Sequence, residues 1–579
     1  MGGTMGGSNG AAALRRYLPL AAIAAVVAVV AVIAVVSGGS GGDDDGSGAG
    51  ETASGGYTYT SSWGESITLP EGVLPFSVAE ELGIEVDWAA TCDTSRGTAA
   101  VPSFFAPECF APFEGDNGGA TATGVTADTI RVVIYEAPEN DAILDAISGA
   151  VTDDSPSDVT ATYQGLLPYF EQHYETYGRD IEYIVYPATG GAIDEVAARA
   201  AAAEIAEEIQ PFAVFGGPAI TNAFSDELAA RGIVHVGAGG PSAEYFVEQD
   251  PYLFGVGMSA WQLRQHLIEY IGKQLANQPA EHAGDPGLAE ANRVFGLVYL
   301  DSGSTTTVGA DELRDGLAAV GADLAVTATY ANPLDVSAEA PGIIARLKDA
   351  GVTSVILSGD PLTPATFTRV ATDQGYFPEW IVAGSPLADT TVFARTYDQQ
   401  QWANAFGIST LVARSDPQLS NGRRLYRWSA CSDPPAQDTI ELIYPIPAVF
   451  FSALQRVGPN LTPETFRTAL FTAEPTPRGI TSPSLSWGLP AKGRWDQPDY
   501  QGIDDATELW WDVSAAGPDE NGRDGQGMYA YVDGGTRYLA GEWPQRATRA
   551  FEPDGAVTLY TEPPASEQVP SYPSVCDNS

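Results

Sequence analysis

Cysteine, histidine and methionine each occur only four times in 579 residues. The histidines are scattered and no C-x-x-C pair exists, so no group reaches the ligand density of a zinc site, and neither metal nor cofactor is expected. Basic residues are scarce as well: 28 Lys and Arg face 75 Asp and Glu, a formal charge of −47. A surface of that sign repels phosphate backbones, which removes nucleic acid from the expected partners. The phosphate-cradling pattern G-x-x-x-x-G-K-[ST] is missing, and "GAGGPS" (237–242) misses the dinucleotide fingerprint. "GGSGG" (38–42) matches G-x-S-x-G only formally, having no strand before it and no helix after it. With no nucleophile–base pair and no metal cluster, an enzyme is not expected.

What is present is a globular composition, 44% hydrophobic and 10% aromatic, long enough for two or three cores. Near the N-terminus Arg15 and Arg16 precede an uncharged stretch in which Leu18–Val36 is almost pure Ala, Val, Ile and Leu. Such a run, at about 1.5 Å per residue, rises roughly 28 Å, the thickness of a bilayer core. Secretory apolar regions are shorter, and "AVVSGGSGG" offers neither an A-x-A site nor a cysteine for lipid attachment. A retained anchor at 14–36 is therefore favoured over a cleaved signal, with residues 1–13 cytoplasmic and everything after the anchor outside. Residues 37–56 read as a flexible Gly/Ser/Asp linker.

Residues 57–122, dotted with proline and aromatics, carry Cys92 and Cys109; the other cysteines are Cys431 and Cys576. An even count in an exported chain predicts two disulfides, for which three pairings are open. Cys92–Cys109 with Cys431–Cys576 is preferred because the first two share one short proline-rich segment. Closing that loop contributes about 3 kcal/mol in the chain-entropy picture.

From Ile130 onward short β-branched or aromatic runs alternate with helical ones. "IRVVIY" (130–135), "IEYIVYP" (181–187), "FAVFGG" (212–217) and "GIVHVGAG" (232–239) form one set of strands. "VFGLVYL" (294–300), "DLAVTATY" (323–330), "SVILSG" (354–359) and "EWIVAG" (379–384) form another. Between them "DEVAARAAAAEIAEEI" (194–209) puts Ala198, Ala201, Ile205 and Ile209 on one face, with acids at its start and Pro211 beyond its end. Alternation of this kind implies parallel sheets, and two sets imply two α/β lobes. "YLFGVGMSAW" (252–261) is the natural crossover, and the helices at 440–458 and 461–470 would return to the first lobe.

In open parallel sheets ligands bind beyond the carboxyl ends of the strands. The loops there are Gly216-Gly217-Pro218-Ala219-Ile220-Thr221, Gly237-Ala238-Gly239-Gly240-Pro241-Ser242, Asp301-Ser302-Gly303-Ser304, Ser358-Gly359-Asp360-Pro361 and Gly384-Ser385-Pro386; Tyr135 and Glu136 end the first strand. Glycines let a backbone approach a ligand, and N–H groups at a helix start attract an anion. Each loop alone reads equally as a tight strand-to-helix turn. Tyr135, Glu136, Pro218 and Ser385 enter the candidate site through these loop positions. His235 lies in an apolar strand and reads as a core histidine, Asp360 could cap the following helix, and Trp261 could pack the hinge.

"GVTADTIRVVIY" (124–135), "FAVFGGPAITNAFSDELAARGIVHVGAG" (212–239), "YLFGVGMSAWQLRQHLIEYI" (252–271), "RVFGLVYLDSG" (293–303) and "GVTSVILSGDPLTPATFTRVATDQGY" (351–376) together resemble the type 1 periplasmic binding proteins. Within them, the likeness is to the solute receptors of branched-chain amino acid ABC transporters. The resemblance implies a two-lobed α/β fold of parallel sheets flanked by helices, with lobe 1 at 123–258 and 405–475, lobe 2 at 259–404 and 476–515, and a turn-rich tail at 516–579. It implies a cleft that closes on a small solute and then docks on a membrane permease. It further implies that Ala219, Thr221, Ala238 and Gly239 hold a ligand carboxylate, with Asp301 and Asp360 in the loops that face a ligand ammonium. "AGSPLAD" (383–389) lacks the expected Glu, which leaves amides and other small polar solutes open beside amino acids. The competing class is a membrane-anchored sensing ectodomain acting through a partner protein.

Overall fold

A computed structural model describes residues 56–139, 152–191, 194–218, 221–240, 242–301, 304–331, 336–384, 387–574 and 576. The anchor, all but the last residue of the linker, and the candidate residues Ala219 and Ser385 lie outside the described residues.

Two sheets organise the chain. The first has five strands, all parallel, in the spatial order Asp180–Pro187, Thr129–Glu136, Ala213–Phe215, Val234–Val236, Leu253–Phe254. The second begins with the same arrangement of five parallel strands, Leu324–Tyr330, Phe295–Leu300, Ser354–Ser358, Glu379–Ala383 and Ala405–Ser409. In both, the strand that comes first in the chain sits second in space, so chain direction along the sheet reverses between the first and third strands.

Burial on both faces explains the near-continuous apolar strands. In the first sheet Val132 and Ile134 face Phe170, Phe450 and Phe451, while Val133, Tyr135 and Val214 face Ala198, Ala202, Phe224 and Leu228. The helices Pro445–Val457 and Pro463–Thr472 thus belong to the first lobe, with Phe450 set edge-on to Phe215 at 5.2 Å. In the second sheet Val298, Val355 and Trp380 pack beneath Val336–Asp349 and Pro364–Asp373, and Leu297, Ile356 and Phe406 pack beneath Ala260–Tyr270. Helix starts are set locally: Ser155 and Ser259 each close a capping box, with Asp158 and Gln262.

Two expected boundaries shift. Residues 405–409, expected in the first lobe, form the fifth strand of the second sheet, pairing with 380–383 on one side and 507–510 on the other. Residues 516–539, expected in the tail, continue that sheet: Asp505–Pro518 turns back as Asp524–Tyr531, and Arg537–Leu539 adds a third antiparallel strand. The reason is side-chain alternation. Leu509, Trp511, Tyr529 and Tyr531 bury into one face of the sheet, Trp510, Ala530 and Val532 into the other.

Both disulfides take the preferred pairing, Cys92–Cys109 and Cys431–Cys576. The extension folds as two short hairpins and the helix Phe76–Leu82, and docks on the first lobe. Arg179 from that lobe, 2% exposed, donates to the carbonyls of Asn117, Gly119 and Thr126, while Tyr177 Oη donates to Gln455 O at 2.6 Å.

Candidate functional site

A reversal of strand order leaves a crevice at the carboxyl ends of the two strands that flank it, because their loops lead away on opposite sides. In the first lobe that crevice lies between Thr129–Glu136 and Ala213–Phe215, and in the second between Phe295–Leu300 and Ser354–Ser358. Glu136 and Gly216–Pro218 border the first, Asp301 and Gly359–Asp360 the second. Thr221, Ala238 and Gly239 lie at the same end of the first sheet.

The first-lobe loops owe their shape to two glycines and a histidine. Gly216 and Gly237, each directly after a strand, have φ of +75° and +90°, a region where a Cβ is strained. At Gly237 a Cβ would also meet Ile446 Cδ1 at 2.7 Å. His235, 4% exposed, reaches Gly216 O with Nε2 at 2.9 Å and Ser225 Oγ with Nδ1 at 3.0 Å. A carbonyl only accepts, so Nε2 carries the proton and Nδ1 accepts from the serine hydroxyl. Burial pushes the imidazole down to about 4, so it stays neutral and locks the Gly216–Pro218 loop to the helix Ala223–Ala230. This is the core histidine the strand pattern predicts, with a positioning role the pattern does not reveal. Thr221 is buried, its Oγ1 accepting from Ala223 N at 3.1 Å; Ala238 is buried, Gly239 exposed, Pro218 and Glu136 half-buried. Tyr135 packs its ring edge-on to Phe224 at 5.0 Å and against Tyr186, in the cluster beneath the helices.

Asp360 turns out to be built into its own loop. Its Oδ1 accepts from Leu362 N and Thr363 N at 2.8 and 2.9 Å, and its Oδ2 accepts from Tyr330 Oη at 2.7 Å with Thr363 Oγ1 at 3.0 Å. A carboxylate offers about four acceptor positions, and at 3% exposure four donor groups from three residues surround them, the Thr363 hydroxyl proton being shared with Tyr330 Oη at 3.0 Å. The ammonium partner expected from the resemblance would have to displace one of them. The geometry gives Asp360 a turn at Leu362 and Thr363, ahead of the helix Pro364–Asp373 whose N-cap is Thr363 rather than Asp360. Beside it, Tyr330, Thr363, Ala388 and Trp402 line a cavity of about 10 Å³, room for one water. Asp301 is half-buried, its N–H bonded to Tyr330 O at 2.9 Å.

Two buried features are not visible in the sequence pattern. Asp389, at the end of the "AGSPLAD" loop, accepts from Ser409 Oγ at 2.5 Å, and burial raises it to about 6. Its signal was an acid in a loop singled out for lacking one. The second is the set of interlobe crossings. The chain crosses between sheets at 255–259, 410–420 and 473–504, and the first and third crossings are hydrogen-bonded together: Gly255 N to Tyr500 O at 2.8 Å, Ile503 N to Gly257 O at 3.1 Å, Trp487 Nε1 to Gly255 O at 2.9 Å. Under them Gln262 donates to Asp499, Ser486 and Trp495 to Asp504, and His266 Nε2 to Asp504 O. Burial, then the neighbouring Asp504 charge, holds Asp499 well above the carboxylate range, and burial raises Asp504 to about 6. Trp261 packs edge-on to Trp495 of the third crossing at 5.5 Å. Among the described residues no group of three metal-binding side chains occurs.

Two α/β lobes, each with five parallel strands in the same order and joined by three crossings, define a two-lobed fold of the binding-protein type. The chain belongs to the periplasmic binding protein family, whose profile matches residues 142–493. Among solved structures it is similar to a putative branched-chain amino acid ABC transporter from Rhodospirillum rubrum, at 13% identity and TM-score 0.45, covering 66% of this chain and 97% of that one. A fatty acid ABC transporter substrate-binding protein from Thermomonospora curvata gives 16% identity and TM-score 0.44, covering 74% and 98%. An ABC transporter substrate-binding protein from Desulfitobacterium hafniense in complex with Leu gives 12% and 0.42, covering 71% and 99%. No curated protein matches the chain.

Proposed function

We propose that this chain is an extracytoplasmic receptor that captures a small polar solute between its lobes and delivers it to an ABC importer, without catalysis of its own. The observation that supports this reading is the repeated strand order, with Glu136 and Gly216–Pro218 beside the order reversal of one sheet and Asp301 and Gly359 beside that of the other. Family membership supports it. The filled acceptor positions of Asp360 favour solutes recognised through a carboxylate or amide over those that need a buried acid for an ammonium group. Binding here rests on Glu136, Pro218, Ala219, Thr221, Ala238, Gly239, Asp301 and Ser385, with Tyr135 and Asp360 shaping the loops. In this reading the segment 14–36 stays as an anchor and residues 37–56 tether the receptor near its permease.

Thermal denaturation across a panel of amino acids, carboxylic acids, amides and ureas tests the capture. A true ligand at a hundred times its Kd adds about 2.7 kcal/mol of stability. A panel in which no solute raises the melting temperature removes the proposal's support. The mass of the membrane-extracted protein tests the anchor: a mature chain beginning between Ser37 and Gly46 means a cleaved signal.

A further inference from the structure

After its last strand the chain does not simply end on the second lobe. Tyr531 and Val557 exchange backbone hydrogen bonds of 2.8 and 3.1 Å, and Tyr560 Oη donates to Gly534 O at 2.7 Å, which fixes the start of the C-terminal segment on the second sheet. Tyr560 also bonds the second crossing, donating its N–H to Arg414 O and accepting from Asp416 N, both at 2.8 Å.

Seven residues later Glu567, 3% exposed, puts its carboxylate on the third crossing. It accepts from Ile480 N at 2.5 Å, Thr481 N at 3.0 Å and Thr481 Oγ1 at 2.8 Å, and a Cβ on Gly479 would stand 2.4 Å from its carboxyl carbon. The segment then reaches the first lobe. Trp428 Nε1 donates to Tyr572 O at 3.2 Å, Ser574 Oγ donates to Trp428 O at 2.9 Å, and Tyr572 Oη donates to Asp93 of the extension at 2.7 Å. Cys576 closes the path covalently on Cys431, at the end of the first-lobe helix Asn421–Ala430.

We infer that the C-terminal segment is an interlobe strap that limits how far the lobes swing apart, held on the second sheet at 557–560, on a crossing at Glu567 and on the first lobe by Cys431–Cys576. It is a fourth connection beside the three crossings, and the disulfide makes it permanent. Its length sets a soft limit. A chain fully extends by at most about 3.3–3.6 Å per residue, so the nine residues from Glu567 to Cys576 reach about 30 Å. Small hinge motions leave the strap bonded, whereas wide opening must first release Glu567 and the 572–574 contacts. The strap thereby cuts the widely open population. This inference rests on the capture reading only in assuming that the lobes move.

The test compares interlobe distances in the full, ligand-free chain by single-molecule energy transfer. Dyes are placed through non-canonical residues at Val196 in the first lobe, 81% exposed, and at Asp315 in the second, whose side chain is 74% exposed. Cys431→Ser with Cys576→Ser is expected to broaden the distribution and extend it to longer distances than the wild type reaches. Glu567→Gln, which leaves both disulfides in place, is expected to shift it in the same direction by less, and it serves as the deciding variant if the serine pair fails to fold. Superimposable distributions overturn the strap. If the wild type still shortens on adding a solute from the panel, the capture reading stands without it.

Discussion

Replacing His235 with asparagine isolates the ionisation that burial forbids. In the unfolded chain an imidazole takes up a proton near 6.5, while in the folded first lobe His235 resists protonation down to about 4. A histidine with a depressed folded value contributes its full stability above about 6.5 and loses it as the pH falls toward about 4. At pH 5 the unfolded imidazole is almost wholly charged and the folded one still neutral, a difference of about 2 kcal/mol, growing to about 3 kcal/mol at pH 4. The substitution has its own cost, about 2–4 kcal/mol from the cavity and from leaving Gly216 O and Ser225 Oγ without their partner. That cost does not depend on pH, so it cancels when the loss of stability between pH 7 and pH 5 is compared in the two proteins. His173, His266 and His282 also have lowered values, and they cancel too because both proteins keep them. Urea denaturation at the two pH values measures the difference, and the wild type should lose about 2 kcal/mol more than the variant. With four histidines in the chain, assigning the His235 ring resonance by substitution is direct, and its NMR titration is the sharper assay. A midpoint at 6 or above, or equal acid losses in wild type and variant, refutes the neutral His235 lock.

Asp360→Asn should lower the melting temperature, by an amount equivalent to about 1–3 kcal/mol, because the amide cannot accept at both oxygens; a lost solute response with unchanged melting would put the carboxylate on the ligand instead. Gly237→Ala should cost about 1–3 kcal/mol through its φ of +90° and the Ile446 contact, and adding Ile446→Ala should recover nothing of the backbone part, as read by thermal denaturation. Glu379→Leu should destabilise the second lobe by about 3–5 kcal/mol by stranding Arg293, whose guanidinium it meets at 2.8 and 2.9 Å with both side chains at most 1% exposed. Arg293→Leu combined with Glu379→Leu should restore most of that loss, and a double variant no more stable than the single one would count against the pair as its cause.

Most of the sheet strands were legible because both faces of each sheet are buried, which forces short apolar runs such as 130–135 and 354–358 that stand out from their helical neighbours. The strand Ala405–Ser409 obeys the same physics, yet it has no turn signal tying it to the strand before it, and its partners at 380–383 and 507–510 are set by tertiary pairing. The antiparallel pair 505–531 was half visible: its apolar run Leu509–Trp511 is plain, and then a bulge, where Asp512 Oδ1 accepts from Ser514 N at 2.8 Å, interrupts the strand and makes the rest look like tail.

The strand-end loops were legible in position, and the contacts of their side chains much less so. Strand ends with glycine could be found from spacing, because a chain leaving a parallel strand for a helix needs a tight turn whatever the ligand. The work of each side chain in such a loop depends on partners that spacing does not bring together. Asp360 is held by Tyr330, thirty residues earlier and two strands away on the sheet edge, and the interlobe crossings join Gln262 to Asp499 across 237 residues. A carboxylate in a strand-end loop has two stable arrangements: open to a ligand's positive charge, or closed on four local donors. The second requires a donor that reaches the loop from elsewhere in the sheet, and here Tyr330, two strands away, supplies it with its own ionisation pushed far up by burial and by the Asp360 charge. Replacing Tyr330 with phenylalanine would return one acceptor of Asp360 to the crevice. The binding protein should then gain measurable response to an ammonium-bearing solute in the thermal panel while losing about 1–2 kcal/mol of stability. No gain for any such solute, with the stability loss intact, would mean that the crevice excludes cations by shape rather than by the occupancy of Asp360.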